Sequence, residues 1–140
     1  MEEKFRFLDH TADAKFQAFG RTIEEAFGNA ALATASLMWK PETIKKKVRR
    51  PVRVSGRDLE QLLVQFLAEI IYLFETKKFL LGAVESVRID KNEAGFRLEG
   101  VFSGDRSAGY DLHGEVKAVT YNEMAIEKKD GFTVQVVLDI

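Results

Sequence analysis

Five consecutive residues near the start of the chain, Asp9-His10-Thr11-Ala12-Asp13, combine two carboxylates, an imidazole and a hydroxyl. The last two residues, Asp139-Ile140, add a side-chain carboxylate followed at once by the α-carboxylate. Oxygen donors of this kind suit a hard divalent cation, provided that the fold brings the two stretches together. Each stretch could also have an ordinary structural role instead of binding a metal. Asp and Thr are common turn formers, and carboxylates at a chain end are commonly solvated.

His10 lies between the two acids, where an imidazole can act as a general base, as a ligand or as a donor that orients a carboxylate. The only other histidine is His113, so a zinc site of three histidines is excluded. The absence of cysteine excludes disulfides, thiolate catalysis and cysteine-ligated metals. The sequence also lacks a phosphate-binding glycine loop, a dinucleotide-binding fingerprint and a serine elbow. A hydrolase would therefore depend on the Asp/His cluster and a metal-bound water.

The composition is that of an ordinary globular protein, with 140 residues, 46% hydrophobic and 31% charged. This length predicts one domain over residues 1–140. The formal net charge of −1 gives no global field that would attract nucleic acid or an anionic membrane. The N-terminus lacks a signal-peptide pattern, and the most apolar run, residues 62–74, is too short to span a bilayer. We therefore expect a cytoplasmic protein without a membrane partner.

Strands and helices must position these residues. Alternation predicts strands over residues 4–8 and 14–20, joined as a hairpin whose tip is the Asp9–Asp13 stretch. Thr22 and Glu25 have the spacing of a capping box, which predicts a helix that ends before Pro41. Asp58 is a plausible N-cap for a second helix, whose apolar face predicts the centre of the core.

From residue 79 onward the apolar pattern has a period of two. It predicts strands over 82–90, 95–103, 115–127 and a final strand after the Asp130-Gly131 turn, with a polar loop at 104–114. The expected fold is α+β, with two helices packed on a mostly antiparallel, mixed sheet in a two-layer single domain.

A basic run precedes the second helix. We expect it in a strand over 42–54 that lies at a sheet edge, because Pro51 cannot donate a ladder hydrogen bond. It could contact RNA phosphates or a partner protein, or it could be a solvated edge that resists aggregation. No aromatic residue interleaves with it, as a base-stacking surface would require. Its cationic residues are Lys45, Lys46, Lys47, Arg49, Arg50 and Arg53.

Three stretches together resemble the archease family. They are the Asp9–Asp13 motif, Glu115-Val116-Lys117-Ala118-Val119-Thr120-Tyr121, and the terminal Asp139-Ile140. The helix openings at residues 22–27 and 58–63 also fit, so the resemblance covers essentially the whole chain.

This resemblance implies a non-enzymatic activator of an RtcB-type RNA ligase, which joins RNA ends in tRNA splicing and RNA repair. Archeases promote guanylylation of the ligase and its multiple turnover, and the GTP is used by the ligase. The resemblance assigns a metal, calcium, to the side chains of Asp13 and Asp139 and to a main-chain oxygen of Ile140. Asp9, His10 and Thr11 would then support these ligands.

One position departs from the family pattern, since many members carry histidine where this chain has Asn122. Any role of that histidine beside the ligase does not transfer to this chain. Two other functions stay open for this chain. One is an RNA-binding or chaperone module for tRNA-modifying enzymes. The other is a metal-dependent hydrolase in which His10 is the base.

Overall fold

The computed structural model describes residues 3–140. These residues form strands and two long helices, which follow one another along the chain in the order given next. They are β1 (Phe5–Leu8), β2 (Ala14–Gly20), α1 (Ile23–Ser36), a 3₁₀ turn (Pro41–Thr43), β3 (Val48–Gly56), α2 (Leu59–Lys77), β4 (Phe79–Asn92), β5 (Gly95–Arg106), β6 (Ala118–Lys128) and β7 (Phe132–Asp139).

Both helices begin at the predicted caps. The Thr22 hydroxyl accepts a hydrogen bond from the Glu25 amide at 3.1 Å, and the Asp58 carboxylate accepts one from the Gln61 amide at 2.7 Å. Glu25 reaches back to the amide of Arg21, one residue before the position that a capping box predicts. α1 ends at Ser36, before Pro41 as predicted. Neither helix combines the length and apolar character needed to cross a membrane, within residues 3–140.

The strands form two sheets, one of four strands in the order β1-β2-β7-β6 and one of three in the order β3-β5-β4. Every described strand pair is antiparallel. The predicted hairpins β1–β2, β4–β5 and β6–β7 are all present, and the α+β class is confirmed. β3 is an edge strand, as Pro51 requires. It begins at Val48, later than predicted, because residues 41–43 form the 3₁₀ turn.

The layering differs from the prediction of one mixed sheet with helices on one face. Each helix contacts strands of both sheets, whereas no described strand of one sheet contacts a strand of the other. The composition of α1 explains this arrangement, since its buried positions lie on more than one side of the helix, and a helix buried all round needs cover on both sides. The buried residues of α1 are Ala26, Phe27, Gly28, Ala30, Ala31, Ala33, Thr34 and Ala35.

The core lies between the two sheets and around the helices. Phe66 of α2 links the layers, because its ring lies 6.1 Å from that of Phe27 in α1 and 5.5 Å from that of Phe102 in β5. Trp39, just after α1, is fully buried and donates its indole N–H to the Leu81 carbonyl of β4 at 2.9 Å. The central strands β2 and β7 contribute Phe16, Ala18, Val134, Val136 and Leu138 to this core, all fully buried, and so form a firm base for the residues at their ends.

Candidate functional site at one end of the four-stranded sheet

The two stretches that carry the candidate ligands meet at one end of the four-stranded sheet. Ala14 at the start of β2 pairs with Leu138 near the end of β7, so continuing this antiparallel register by one residue sets Asp13 opposite Asp139. On the other side, Asp139 pairs with Ala118, and its carbonyl accepts a hydrogen bond from the Lys117 amide at 2.7 Å. We call the surface formed by residues 9–13, 139 and 140 the acidic tip.

The acidic tip is open to solvent. Asp139 and Ile140 are exposed, and the Asp13 side chain retains 24% of its surface. Within residues 3–140, no three side chains of His, Cys, Asp or Glu are grouped so that they could hold a metal. The set assigned by resemblance contains two such side chains, Asp13 and Asp139, and takes its remaining donor from the main chain of Ile140.

The surroundings of His10 provide a test of whether a cation would fit. Its Nε2 lies 3.1 Å from the Glu123 carboxylate, while its Nδ1 is buried, has no hydrogen-bond partner among residues 3–140 and lies 3.8 Å from Asp13 Oδ1. A buried polar atom without a partner is costly, and a positive group between this nitrogen and the Asp13 carboxylate would satisfy both. These residues therefore fit a divalent cation at the acidic tip.

Asp9 and Thr11 lie in the exposed loop before Asp13. Ala12, between them and β2, has a φ of +69°, which marks the tight turn into the strand. The side chains of Asp9 and Thr11 make no hydrogen bonds to other residues in the 3–140 range, so the structure gives them no turn-capping role.

Glu123 and Lys15 complete the surroundings of His10, and sequence analysis missed both. Glu123 accepts a hydrogen bond from Lys15 Nζ at 2.7 Å. The Lys15 ammonium, followed by the His10 ring, lowers the pKa of the Glu123 carboxyl below its ordinary value. Glu123 is therefore ionised at neutral pH and ties β6 to the loop that carries the acidic tip.

An irregularity in β6 positions Glu123. Thr120 pairs with Val137 and Ala125 with Gln135, so residues 121–124 lie opposite a single residue of β7. We call residues 121–124 the β6 bulge. Three successive exposed residues, Tyr121-Asn122-Glu123, break the alternation of the strand, and this break is the signal that could have predicted the bulge. Asn122 lies within it and is exposed.

The basic run is divided. Lys45, Lys46 and Lys47 precede β3 and are exposed, whereas within the strand Arg53 lies 3.6 Å from the Glu99 carboxylate. Arg50 lies on the other face of the strand and is half-buried. It shares the inward face with Val52, and its Nε is buried without a partner, because alternation along β3 turns every second side chain inward.

The acidic tip is distinct from the larger concavities of the surface. A cleft of about 550 Å³ lies at the opposite end of the same sheet, beside Gly20, Asn29 and Phe132. None of the predicted site residues lines it. The tip is thus an open surface, which suits contact with another macromolecule better than enclosure of a small substrate.

Comparisons with known proteins cover nearly the whole chain. Residues 5–140 match the Archease protein family (MTH1598/TM1083). The chain is 38% identical to a protein archease of Methanosarcina mazei, over 99% of this chain and 97% of that protein. It is also 38% identical to a protein archease of Pyrobaculum calidifontis, over 97% and 95% of the two chains.

A solved structure agrees with these relatives. The solution structure of Methanobacterium thermoautotrophicum protein 1598 superposes with a TM-score of 0.83 and 34% sequence identity, and the match covers 98% of this chain and 99% of that one. The family profile, the relatives and this fold lead to one conclusion: the chain belongs to the archease family.

Proposed function

We propose that this protein is a non-catalytic activator of an RtcB-type RNA ligase in tRNA splicing and RNA repair. It would act in the cytoplasm by promoting guanylylation of the ligase and its multiple turnover. Membership of the archease family supports this proposal. The observation that carries it is the position of Asp13 opposite Asp139 at an exposed end of the sheet. His10 Nδ1, which lacks a hydrogen-bond partner among residues 3–140, lies beside Asp13.

Asp13, Asp139 and the main-chain oxygen of Ile140 would hold a divalent cation, with calcium as the proposed ion. When bound, the cation supplies a compact positive charge on an otherwise acidic surface. Asp9, His10 and Thr11 border these donors and would orient them. β2 and β7 are inner strands of their sheet, so the two carboxylates have a rigid base.

The acidic tip can activate a partner only by binding one conformational state of that partner more tightly than another. An exposed surface with two carboxylates can contact an open cleft of the ligase and favour its activated conformation. In this proposal the ligase alone binds GTP and carries out the chemistry. Turnover of RNA or phosphoester substrates by the purified protein alone would instead support a metal-dependent hydrolase.

RNA contact is the second candidate function, and it has its own observation. Lys45, Lys46, Lys47 and Arg49 are exposed at and before an edge strand. Such residues can neutralise phosphates, and each phosphate contact adds to the salt dependence of binding. Replacing these four residues with glutamine should then weaken RNA affinity and flatten its salt dependence. An RNA affinity that is unchanged by these replacements would reject this surface.

The primary test is single-turnover guanylylation of the cognate ligase with and without this protein. Wild type should stimulate the reaction, whereas Asp13→Asn and Asp139→Asn should not, although both remain folded. Asp130→Asn is the matched control, because Asp130 lies in the β6–β7 turn at the other end of the same sheet. Full stimulation by both tip variants would remove the acidic tip from the mechanism, and no stimulation by wild type would reject the proposed function.

A further inference from the structure

β4 is an edge strand of the three-stranded sheet, and within residues 3–140 it pairs only with β5. Its beginning is covered by the 3₁₀ turn, since the Ile44 carbonyl oxygen lies 3.0 Å from the position of a Cβ at Gly82. From Ser86 to Asn92 the pairing with β5 continues over seven residues without a register shift. We call residues 86–92 the β4 edge. Its backbone presents N–H and C=O groups that another strand can pair with.

The other edges of the two sheets are less suited to pairing with a further strand. β1 has only four residues, and β6 is interrupted by the β6 bulge. β3 contains Pro51, which cannot donate a hydrogen bond, and its exposed Arg49 and Arg53 carry the same charge. Among the strands of residues 3–140, the β4 edge is therefore the longest edge segment without a bulge or a proline.

The side chains of the β4 edge alternate between two faces. Arg88 and Asp90 lie on the solvent face and keep 69% and 59% of their side-chain surface exposed. Val87 and Ile89 lie on the opposite face and pack, partly buried, against the core. Charged residues often protect an edge strand from pairing, but their effect depends on which charges come to lie opposite them.

Two copies of the β4 edge are complementary when they pair antiparallel around Ile89. In that register Ile89 lies opposite Ile89 of the second copy, and Arg88 lies opposite Asp90 on both sides of the two-fold axis. Ser86 then lies opposite Asn92, so the whole β4 edge is paired. Moving the axis to Arg88 or to Asp90 would instead place like charges opposite each other, which is unfavourable.

The contacts that these charged groups make within one chain do not prevent this pairing. Arg88 donates to Asp90 on its own strand and to Glu99 of β5, each at 3.1 Å. Ion pairs this exposed contribute little to stability, so Arg88 and Asp90 can exchange each other for the same groups across the axis. On the opposite face, Lys91 of the second copy would lie against Val87, where its aliphatic stem can cover the apolar side chain.

We propose that the β4 edge is a self-association surface, through which two copies of this chain pair about a two-fold axis at Ile89 and join their three-stranded sheets into one sheet of six strands. Such an interface uses the same surface on both copies, so it closes at the dimer. It is short compared with the interfaces of permanent dimers, so the dimer should dissociate on dilution. The β4 edge contains no residue of the acidic tip, and the proposal does not depend on the proposed function.

Sedimentation equilibrium over protein concentrations from about 10 μM to about 1 mM tests the proposal. The average mass of wild type should rise from that of the monomer toward twice that value. Arg88→Asp and Asp90→Arg each place like charges opposite each other on both sides of the axis, and each should weaken dimerisation by about tenfold or more. Arg21→Asp is the matched control, because Arg21 is an exposed residue before α1, and it should dimerise like wild type.

Two further samples test the register itself. The double variant Arg88→Asp/Asp90→Arg exchanges the two charges, so opposite charges face each other again and dimerisation should return. An equimolar mixture of Arg88→Asp with Asp90→Arg should also dimerise, because every charge of one variant then lies opposite an unlike charge of the other. Association that does not depend on this register would not be restored in either sample.

The outcomes decide the proposal as follows. Wild type that remains monomeric up to about 1 mM overturns it, and so do single variants that are folded by circular dichroism and dimerise like wild type. A double variant and a mixture that both remain monomeric overturn the register around Ile89. A second measurement needs no variant: on dilution of wild type, the amide NMR signals of residues 86–92 should change most. Signals of these residues that do not change while the average mass falls would place the contact on another surface and overturn the proposal.

Discussion

Each sheet contains one irregular strand, and the two irregularities have different surroundings. In β4, the register shifts between Leu81 and Ala83 and again between Val84 and Ser86. Leu81 is buried, and its carbonyl accepts the indole N–H of Trp39. In β6, the irregularity lies in exposed residues, and the contacts around Glu123 are hydrogen bonds to polar side chains of other strands.

This difference indicates what each irregularity does. The shifts in β4 turn a backbone carbonyl toward a buried aromatic residue and fit the strand to the core. The β6 bulge turns a carboxylate over the neighbouring strand toward the acidic tip. Changes around β4 should therefore reduce the stability of the whole domain, whereas changes in the β6 bulge should affect the tip and leave the domain folded.

The largest effect is expected for Gly104→Ala, in the part of β5 that pairs with β4. A Cβ at Gly104 would overlap the Leu80 carbonyl oxygen, so the two strands would have to move apart. We expect a loss of about 3 kcal/mol or more in the free energy of unfolding, measured with urea.

Gly28→Ala is the matched control for this substitution. Gly28 lies in α1, and an added Cβ would meet Val84 at an ordinary contact distance of 3.7 Å. Alanine also favours the helix, so we expect this variant to gain up to about 1 kcal/mol. If Gly104→Ala proved as stable as wild type, the fit of β4 to the core would not depend on this close approach.

A smaller effect is expected for Trp39→Phe, which removes the hydrogen bond to the shifted strand. The Leu81 carbonyl would stay buried without its partner, and the smaller ring would leave part of the indole volume empty. We expect a loss of about 2 kcal/mol in the free energy of unfolding. Tyr72→Phe, at a residue that is 55% exposed, should change it by less than about 0.5 kcal/mol. Equal urea midpoints for the two variants would contradict the assigned role of the indole.

Local patterns predicted much of this architecture. Alternation predicted the three hairpins, and the polar residues Thr22 and Asp58 predicted the starts of both helices, because these features depend on neighbours a few residues away. The division into two sheets was not predicted. Its signal was present in the alanines of α1, which occupy more than one face of the helix and therefore indicate burial on both sides.

The candidate site was predicted less completely. The sequence motifs pointed to Asp13 and Asp139, and the register of β2 with β7 brings them together. Glu123 and Lys15 could not be assigned in this way, since their contact joins residues 108 positions apart across an intervening strand. The position of Arg50 on the inward face of β3 was not predicted, because a run of basic residues conceals the alternation of a strand.

The smallest effect on stability is expected for Glu123→Gln, and it should depend on pH. The pKa of Glu123 in the folded protein lies below its ordinary value of 4.5, mainly because of Lys15. A lowered carboxyl pKa means that the folded state favours the ionised form, so the stabilisation is fully present above the unfolded-state pKa. It is lost as the pH falls through the folded-state pKa, where the carboxylate becomes protonated. Wild type should therefore be slightly more stable than the variant near neutral pH, and this difference should shrink below pH 4.5.

Urea unfolding of both proteins at neutral and acid pH measures this difference, with Glu127→Gln as the control on the same strand. The effect should be small because Glu123 keeps about half of its surface, 51%, exposed to solvent, where screening weakens ion pairs. The domain should stay folded in all three proteins, in contrast to the large losses expected around β4. A loss of stability in Glu123→Gln as large as that in Trp39→Phe, and equal at both pH values, would show that the β6 bulge supports the core in the same way as the shifts in β4.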